Sequence, residues 1–322
     1  MLKYSVIIPT YNRATLLKNC LEAVAVQTVP RDTYEVIVIN DGSRDNTDKI
    51  IDEFKKQHPL INFIYIKQKN HGVSHARNQG IKRAKGEIIF FTDDDCVVPE
   101  NWIETLADGY RRHPEVAGVG GWYEYPEDMY KKSLFVNYTM LRLQKRFKNI
   151  ISQKKEIKNN KFFLNPAGNT ANTSYKKSVL DKFGGFDEFI NFVGLVDWEL
   201  KARIMKSGHS LLYVPFTVLH LKPLGYYQVM RKFFNHGRGT YHLTQKNPEL
   251  LPFYCPSIFK YWFTIKRLGT LNELIRQPPF KKNMAMIQAT CFSDFCLVRL
   301  GWEFQKIWEL CDKILGNRNQ PV

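Results

Sequence analysis

The stretch Gly86-Glu87-Ile88-Ile89-Phe90-Phe91-Thr92-Asp93-Asp94-Asp95-Cys96 sets three adjacent carboxylates directly behind four apolar residues. Ile88 to Phe91 is too short an apolar run for a helix and is bounded by Gly86. It reads as a strand buried on both faces. In open α/β sheets ligands sit at the carboxyl end of such a strand. Three neighbouring acids repel one another, so the cluster is poor for stability unless a cation joins it. An Asp-x-Asp pair can hold a hard divalent ion through oxygen ligands, and that ion can bridge two phosphates. The same acids would also suit the N-terminus of a helix beginning near Pro99. On these residues alone both readings stand.

Working outward, Tyr4 to Pro9, Glu35 to Ile39 and Ile61 to Ile66 read as three more strands. Helical spacing follows each of them: Leu17, Cys20, Leu21 and Val24, then Ile50, Ile51 and Phe54, then Ala76, Ile81 and Ala84. Asn46 or Thr47 is placed to cap the second helix. Beyond the acids, a helix from Pro99 to about His113 precedes a Gly-rich strand, Val116 to Gly121. Strand and helix alternate four times across short loops, which predicts a parallel sheet covered on both faces. Thr10, Asp41 and Asp93 to Asp95 then share one edge of it. Three unrelated loops would rarely agree in position and chemistry, so the ligand reading gains.

The apolar and aromatic content, 44% and 14%, is enough for a core and excludes global disorder. The formal charge of +16 is uneven: −1 over residues 1–125, +9 over 126–182 and +8 over 183–322. A neutral first half joined to a basic second half suggests a catalytic unit beside a surface for anions. The six cysteines show no C-x-x-C pair and no framework spacing, which points to a reducing compartment and away from a zinc site. The chain runs straight into a strand, leaving no room for a signal peptide. No apolar run reaches the ~18 residues of a membrane span. Met284 to Leu300 comes nearest and is broken by Asp294 and Arg299. A cytoplasmic protein, soluble or peripheral at the inner face of the membrane, is expected.

Ser5-Val6-Ile7-Ile8-Pro9-Thr10-Tyr11-Asn12, Asn40-Asp41-Gly42-Ser43, Asn78 with Gly72 and Gly80, and Asp93-Asp94-Asp95, in this order, resemble the family 2 glycosyltransferases of the GT-A fold. The likeness covers residues 3 to about 240. It implies a Rossmann-like, mainly parallel sheet flanked by helices. The expected glycosyltransferase domain spans residues 1–240, as a nucleotide-binding half (1–125) and an acceptor-side half (126–240). The family takes a nucleotide-diphospho-sugar, usually a UDP-sugar, with Mn2+ or Mg2+, and inverts the anomeric centre. By resemblance, Pro9, Thr10, Tyr11, Arg13, Asp41, Arg77, Asp93 and Asp94 belong to the nucleotide site. Asp41 matches the acceptor for the uracil N3–H, a donor that cytosine lacks. Asp95 and His220 match metal positions.

Further matches lie in the second half. Gly168, Asn169 and Thr170 fall in a small-residue strand expected under the donor sugar, where small side chains let backbone approach a ligand. Gly184-Gly185-Phe186-Asp187-Glu188 resembles the turn before the catalytic helix, and Gly194-Leu195-Val196-Asp197-Trp198-Glu199 its start. Family members usually show Glu-Asp there, and Val196 replaces the Glu. Asp197 matches the general base, with Trp198 and Glu199 near the sugars. Arg231, His236 and Arg238 fall in a basic, Gly-bearing stretch resembling a flexible loop over the diphosphate. Residues 126–165 interleave lysines with Phe135, Tyr138 and Leu141, a spacing that fits a basic amphipathic helix. Residues 241–322 read as a basic amphipathic helical extension. Its partner is an anionic membrane surface, a homodimer seam or its own catalytic domain.

An inverting, metal-dependent sugar transfer from a nucleotide-sugar to a glycan or lipid-linked acceptor, in surface polysaccharide or glycoconjugate synthesis, is the leading expectation. A metal-dependent nucleotidyl- or phospho-transferase could use the same acids but would not need Asp197. A non-catalytic sugar- or polyanion-binding scaffold would need neither Asp95 nor Asp197. No G-x-G-x-x-G follows the first strand, which disfavours a nicotinamide enzyme. No nucleic-acid module is present.

Overall fold

The computed structural model describes residues 2–132, 156–161, 165–190, 195–221 and 226–248. They fall into two compact units. One comprises Met1–Pro126, Phe147–Asn191 and Asp197–Lys222, and the other Glu127–Arg146, Phe192–Val196 and Pro223–Val322.

The first unit is built on β1 (Tyr4–Thr10), β2 (Tyr34–Asn40), β3 (Asn62–Lys67) and β4 (Ile88–Phe91). These run parallel in the order β3-β2-β1-β4. Their apolar runs are continuous because both faces are covered. Val6, Ile8, Val36, Val38 and Phe90 join one core cluster with Leu17 and Leu21 of α1 (Ala14–Ala25), Ile51 and Phe54 of α2 (Thr47–Gln57), and Trp102 and Leu106 of α4 (Trp102–Arg112). The alternate residues face α3 (Val73–Arg83). There a Cβ on Gly80 would lie 2.6 Å from Ile7 Cγ2 and 3.0 Å from Ile39 Cδ1, so helix and sheet meet at glycine distance.

The remaining strands extend the sheet, which is mainly parallel as expected, with antiparallel members. They are β5 (Cys96–Val97), β6 (Gly118–Glu124), β7 (Ile157–Asn159), β8 (Thr173–Lys176) and β9 (Leu211–His220). The full order is β3-β2-β1-β4-β8-β6-β9-β5, with β7 also on β9. β8 runs antiparallel to both β4 and β6, so the sheet is mixed. Its four polar residues carry no apolar signature, which is why the sequence hides it. The strand expected at residues 166–171 is instead irregular backbone leading into β8, with Gly168 at φ 101°. β9 runs through Pro215 as one strand. Its pairing with β6 slips between Gly120 and Trp122, which accommodates the proline's missing N–H donor.

Helix starts also differ. α4 begins at Trp102, not Pro99. The Pro99 carbonyl accepts from Trp102 N at 3.0 Å. Asn46 takes the N-cap position of α2 as expected, but its side chain makes no capping hydrogen bond. Asp45 supplies one instead, accepting from Thr47 N (3.2 Å) and Thr47 Oγ1 (2.5 Å), and its other oxygen accepts from Ala14 N at the start of α1 (2.9 Å). One carboxylate thus serves two helix N-termini. The unit is completed by α6 (Lys177–Phe183) and by α7 (Val196–Lys206), whose first residue belongs to the second unit.

The second unit contains α5 (Glu127–Lys132) and α8 (Tyr226–Lys246). The basic glycine-bearing stretch expected as a flexible loop is therefore helix, and residue 240 falls inside α8. Two glycines cost roughly 1 kcal/mol each against alanine there. Buried Phe233, Tyr241 and Leu243 supply the packing that overrides this penalty. No described helix is long and apolar enough to cross a membrane. Most of the 126–165 segment and everything beyond residue 248 lie outside the described residues, and with them the expected amphipathic helices.

Candidate active site

The parallel order of β1, β2 and β4 brings Thr10, Asp41 and the three acids to one edge, as their spacing predicts. The acids are tightly held. Thr10 Oγ1 donates to Asp94 Oδ2 at 2.8 Å. Arg13 Nη1 bridges Asp94 Oδ1 (2.8 Å) and Asp95 Oδ2 (2.9 Å). Arg77 Nη2, from α3, donates to Asp93 Oδ1 at 2.7 Å while its guanidinium lies over the Phe186 ring. Arg77 is buried, and its Nε and Nη1 have no hydrogen-bond partner. Burial and the Asp95 charge push the Asp94 carboxyl up to about 6, against the pull of Arg13.

His220, the last residue of β9, reaches the same edge because β9 pairs antiparallel with β5, setting it opposite Cys96. Its Nε2 stands 3.4 Å from Asp95 Oδ1, and its ring packs on Tyr125 and Tyr123. Ligand atoms of Asp95, Cys96 and His220 all lie within 4.8 Å of one another. Carboxylate and imidazole suit a hard or borderline divalent ion. Burial and the neighbouring acids raise the Cys96 thiol, which stays protonated without an ion to draw off its proton. Cys96 was not among the residues singled out from sequence. Its only sequence signal is adjacency to Asp95.

Asp197 lies in the first turn of α7, where its Oδ1 accepts from Trp198 N at 3.0 Å. Burial raises its carboxyl; Arg77 pulls it down and Asp93 pushes it up, so all three groups share one electrostatic field. Glu199, expected near the sugars, is placed otherwise. It is fully buried, and both oxygens hold Arg203, with Nε at 2.8 and 3.0 Å and Nη2 at 2.7 Å. Arg203 continues to the carbonyls of Phe183 and Gly185, at 2.7 Å for the latter. The ion pair pins the turn before α7. Two residues apart on a helix, Asp197 and Glu199 point some 200° away from each other.

The loops are braced by side-chain amides. Asn78 accepts from Phe186 N and donates to Phe186 O and Glu188 Oε1, all at 2.8 Å, which docks α3 on the Gly184–Glu188 turn. Asn12, at φ 52°, ties the Tyr11 loop to Ser43 and Arg44. Tyr11 itself is 45% exposed. Asp41 accepts from Gln68 Nε2 (2.8 Å) and from the backbone N–H groups of His71 and Gly72 (2.9 Å each), so it also orders the loop before α3. Asn169 Oδ1 accepts from Ala171 N, and Asn172 binds Trp102 Nε1, the Trp122 carbonyl and the Phe216 carbonyl at 2.8–3.0 Å. Arg231, His236 and Arg238 lie on α8, in the second unit.

A mixed sheet with an Asp-x-Asp turn at the end of its fourth strand is the GT-A arrangement of glycosyltransferases. The mannosyltransferase PcManGT of Pyrobaculum calidifontis, solved with GDP-Man and Mn2+, aligns over 94% of this chain and 87% of its own, with TM-score 0.64 and 21% identity. TarS 1–349 of S. aureus aligns over 98% and 92%, with TM-score 0.53 and 17% identity. Residues 5–184 match Glycosyl transferase family 2. Glycosyltransferase AglE of Haloferax volcanii is 30% identical over 244 residues, 73% of this chain and 72% of that protein. GlyG of Streptococcus pneumoniae is 37% identical over 123 residues, 38% of this chain and 40% of that one. The chain belongs to glycosyl transferase family 2.

Proposed function

We propose that the protein transfers a sugar with inversion from a nucleotide-diphospho-sugar, most simply a UDP-sugar, to an acceptor hydroxyl of a surface glycoconjugate. The observation that carries this reading is that Asp95 and His220 meet at one sheet edge, while Asp197 lies in the electrostatic field of the neighbouring Arg77–Asp93 pair. Asp95 and His220 would hold a divalent ion, Mn2+ or Mg2+, which when bound screens the charge of the diphosphate. Asp41 supports uridine as the base through its acceptor oxygens, and Tyr11 offers the stacking face. Gly168, Asn169 and Thr170 would line the sugar, with Trp198 on the acceptor side. GgaB of Bacillus subtilis, a minor teichoic acid biosynthesis protein, is 36% identical over 110 residues, 34% of this chain and 12% of that protein, which supports a surface-glycoconjugate acceptor.

The chemistry follows from what Asp197 is and where it stands. The acceptor oxygen attacks the anomeric carbon, the bond from that carbon to the diphosphate oxygen breaks, and the nucleoside diphosphate leaves with the electron pair. The acceptor's proton passes to Asp197, a step that typically contributes about 10²- to 10⁴-fold. The basic segments beyond residue 126 are proposed to keep the enzyme on an anionic membrane surface or in a homodimer.

A panel of nucleotide sugars assayed with Mn2+, alongside thermal stabilisation by UDP, GDP, CDP and ADP, tests the reading. Ligand that binds only the native state raises stability by RT ln(1 + [L]/Kd), so at equal concentration the tightest binder stabilises most. UDP with Mn2+ should stabilise most, and Asp95→Ala should lose that effect while remaining folded. Equal stabilisation by all four nucleotides would remove the base assignment, and unaltered stabilisation of Asp95→Ala would remove the metal ligand.

A further inference from the structure

Arg13 differs from its neighbours in what it holds. Its Nη1 lies against one oxygen each of Asp94 and Asp95, at 2.8 and 2.9 Å. Asp95 turns its other oxygen to the opposite side, 3.4 Å from His220 Nε2 and 3.9 Å from Cys96 Sγ. One carboxylate therefore faces a permanent cation on one side and the candidate metal ligands on the other. Asp94 is fully engaged, since Thr10 takes the oxygen that Arg13 leaves. Arg77 is engaged with Asp93.

Three acids against two guanidiniums leave this cluster with one negative charge. A divalent ion alone would invert that to one positive charge. A diphosphate with two negative charges would restore the original balance. The Arg13 side chain is 32% exposed while Asp94 and Asp95 are buried, so Arg13 is the member of the set free to turn toward an incoming anion.

We propose that Arg13 is the resident counter-cation of the Asp94–Asp95 pair, and that it makes divalent-metal binding conditional on a diphosphate anion. This rests on Asp95 being a metal ligand, as read above. An ion sharing Asp95 with Arg13 is repelled by it. A neighbouring unit charge shifts a buried carboxylate's proton affinity by about 1–3 pKa units, so roughly tenfold or more in ion affinity is at stake. A diphosphate accepts hydrogen bonds from the guanidinium and ligates the ion, turning repulsion into a bridge. Such coupling is reciprocal: the anion tightens metal as much as metal tightens the anion.

The test is Mn2+ binding to the full chain, read by the electron paramagnetic resonance of free Mn2+, without nucleotide and with UDP or GDP. Wild type should bind Mn2+ weakly alone and at least about tenfold tighter with diphosphate. Arg13→Gln should bind Mn2+ alone about tenfold tighter than wild type and lose most of the coupling. Arg13→Lys, which keeps the charge, should stay within about threefold of wild type. Asp95→Asn should abolish binding in both conditions. If Asp95→Asn abolishes binding but Arg13→Gln matches wild type, the role of Arg13 is wrong and the metal site stands. If Asp95→Asn binds like wild type with diphosphate present, the metal site falls and the proposal falls with it. Should Arg13→Gln not fold, wild type decides: equal Mn2+ affinity with and without diphosphate refutes the coupling.

Discussion

Asp197 and Glu199 stand two residues apart, and exchanging each for its amide should produce opposite phenotypes. Glu199→Gln strikes the ion pair with Arg203. Three N–H···O contacts of 2.7–3.0 Å converge on a carboxylate with no exposed surface. The amide keeps one acceptor but turns an NH2 group toward the guanidinium. Breaking a buried pair costs about 3–5 kcal/mol. The Arg203 side chain is 29% exposed and keeps its carbonyl partners, so water recovers part of its charge. A loss of about 2–3 kcal/mol remains, or roughly 5 °C or more in Tm for a domain of this size. Turnover per folded molecule should hardly change. Asp197→Asn should behave in reverse. Burial raises the Asp197 carboxyl, so folding binds a proton that the unfolded chain releases, and stability falls as pH rises through that carboxyl's titration. Removing the charge should leave Tm equal or higher near pH 7. Turnover should fall about 10²- to 10⁴-fold, with nucleotide affinity little altered. The assay is calorimetric Tm, nucleotide affinity and nucleoside diphosphate release for both variants. A Glu199→Gln protein that melts like wild type but does not turn over would refute both the brace and the base.

Asp94 offers a pH signature. Its folded value near 6 exceeds that of an ordinary carboxylate, so its contribution to the metal-free protein is full below the unfolded value and lost as pH rises toward 6. Over that window the stability of Asp94→Asn should fall less steeply than that of wild type, as chemical denaturation at several pH values would reveal; parallel curves would contradict the burial argument. Gly121→Ala would set a Cβ 2.1 Å from the Phe216 carbonyl oxygen and 2.5 Å from Asn172 Nδ2, where the first neighbour is backbone and cannot swing aside. It should cost about 1–3 kcal/mol or more by overpacking, measured as urea midpoint, and an unchanged midpoint would mean the β6–β9 bulge is looser than described.

The first half of the sheet is legible because its signals are local. Continuous apolar runs such as Val36 to Ile39 announce strands covered on both faces, and helical spacing between them announces the covers. The second half is not legible for the converse reason. β8 is held by antiparallel partners 88 residues before it and 55 before it, Ile88 with Lys176 and Val119 with Ser174, and its residues carry polar groups into a buried setting. Propensity cannot see partners at that separation. β9 passes through Pro215 because the slipped register beside Gly121, some 90 residues earlier in the chain, spares the missing donor.

The chemistry-bearing residues were legible for a different reason: acids at strand ends are costly, so their presence has to be accounted for. Asp93 to Asp95 could be read before any fold was known, since repulsion demands a cation. Which cation could not be read. The sequence motif leads to a divalent ion, whereas the side chains assign the first claim to Arg13, 81 and 82 residues away along the chain. The bracing amides Asn78 and Asn172 were illegible as braces, because an asparagine in a polar stretch looks like a turn until its buried partners are known. Asp197 and Glu199 were separable only in part. Helix geometry says that they diverge, and the ion pair of buried Glu199 with Arg203 decides which of them is spent on the fold. That leaves Asp197 as the carboxylate of the two in the field of Arg77 and Asp93, where a proton taken from an acceptor would be drawn by Asp93 and opposed by Arg77.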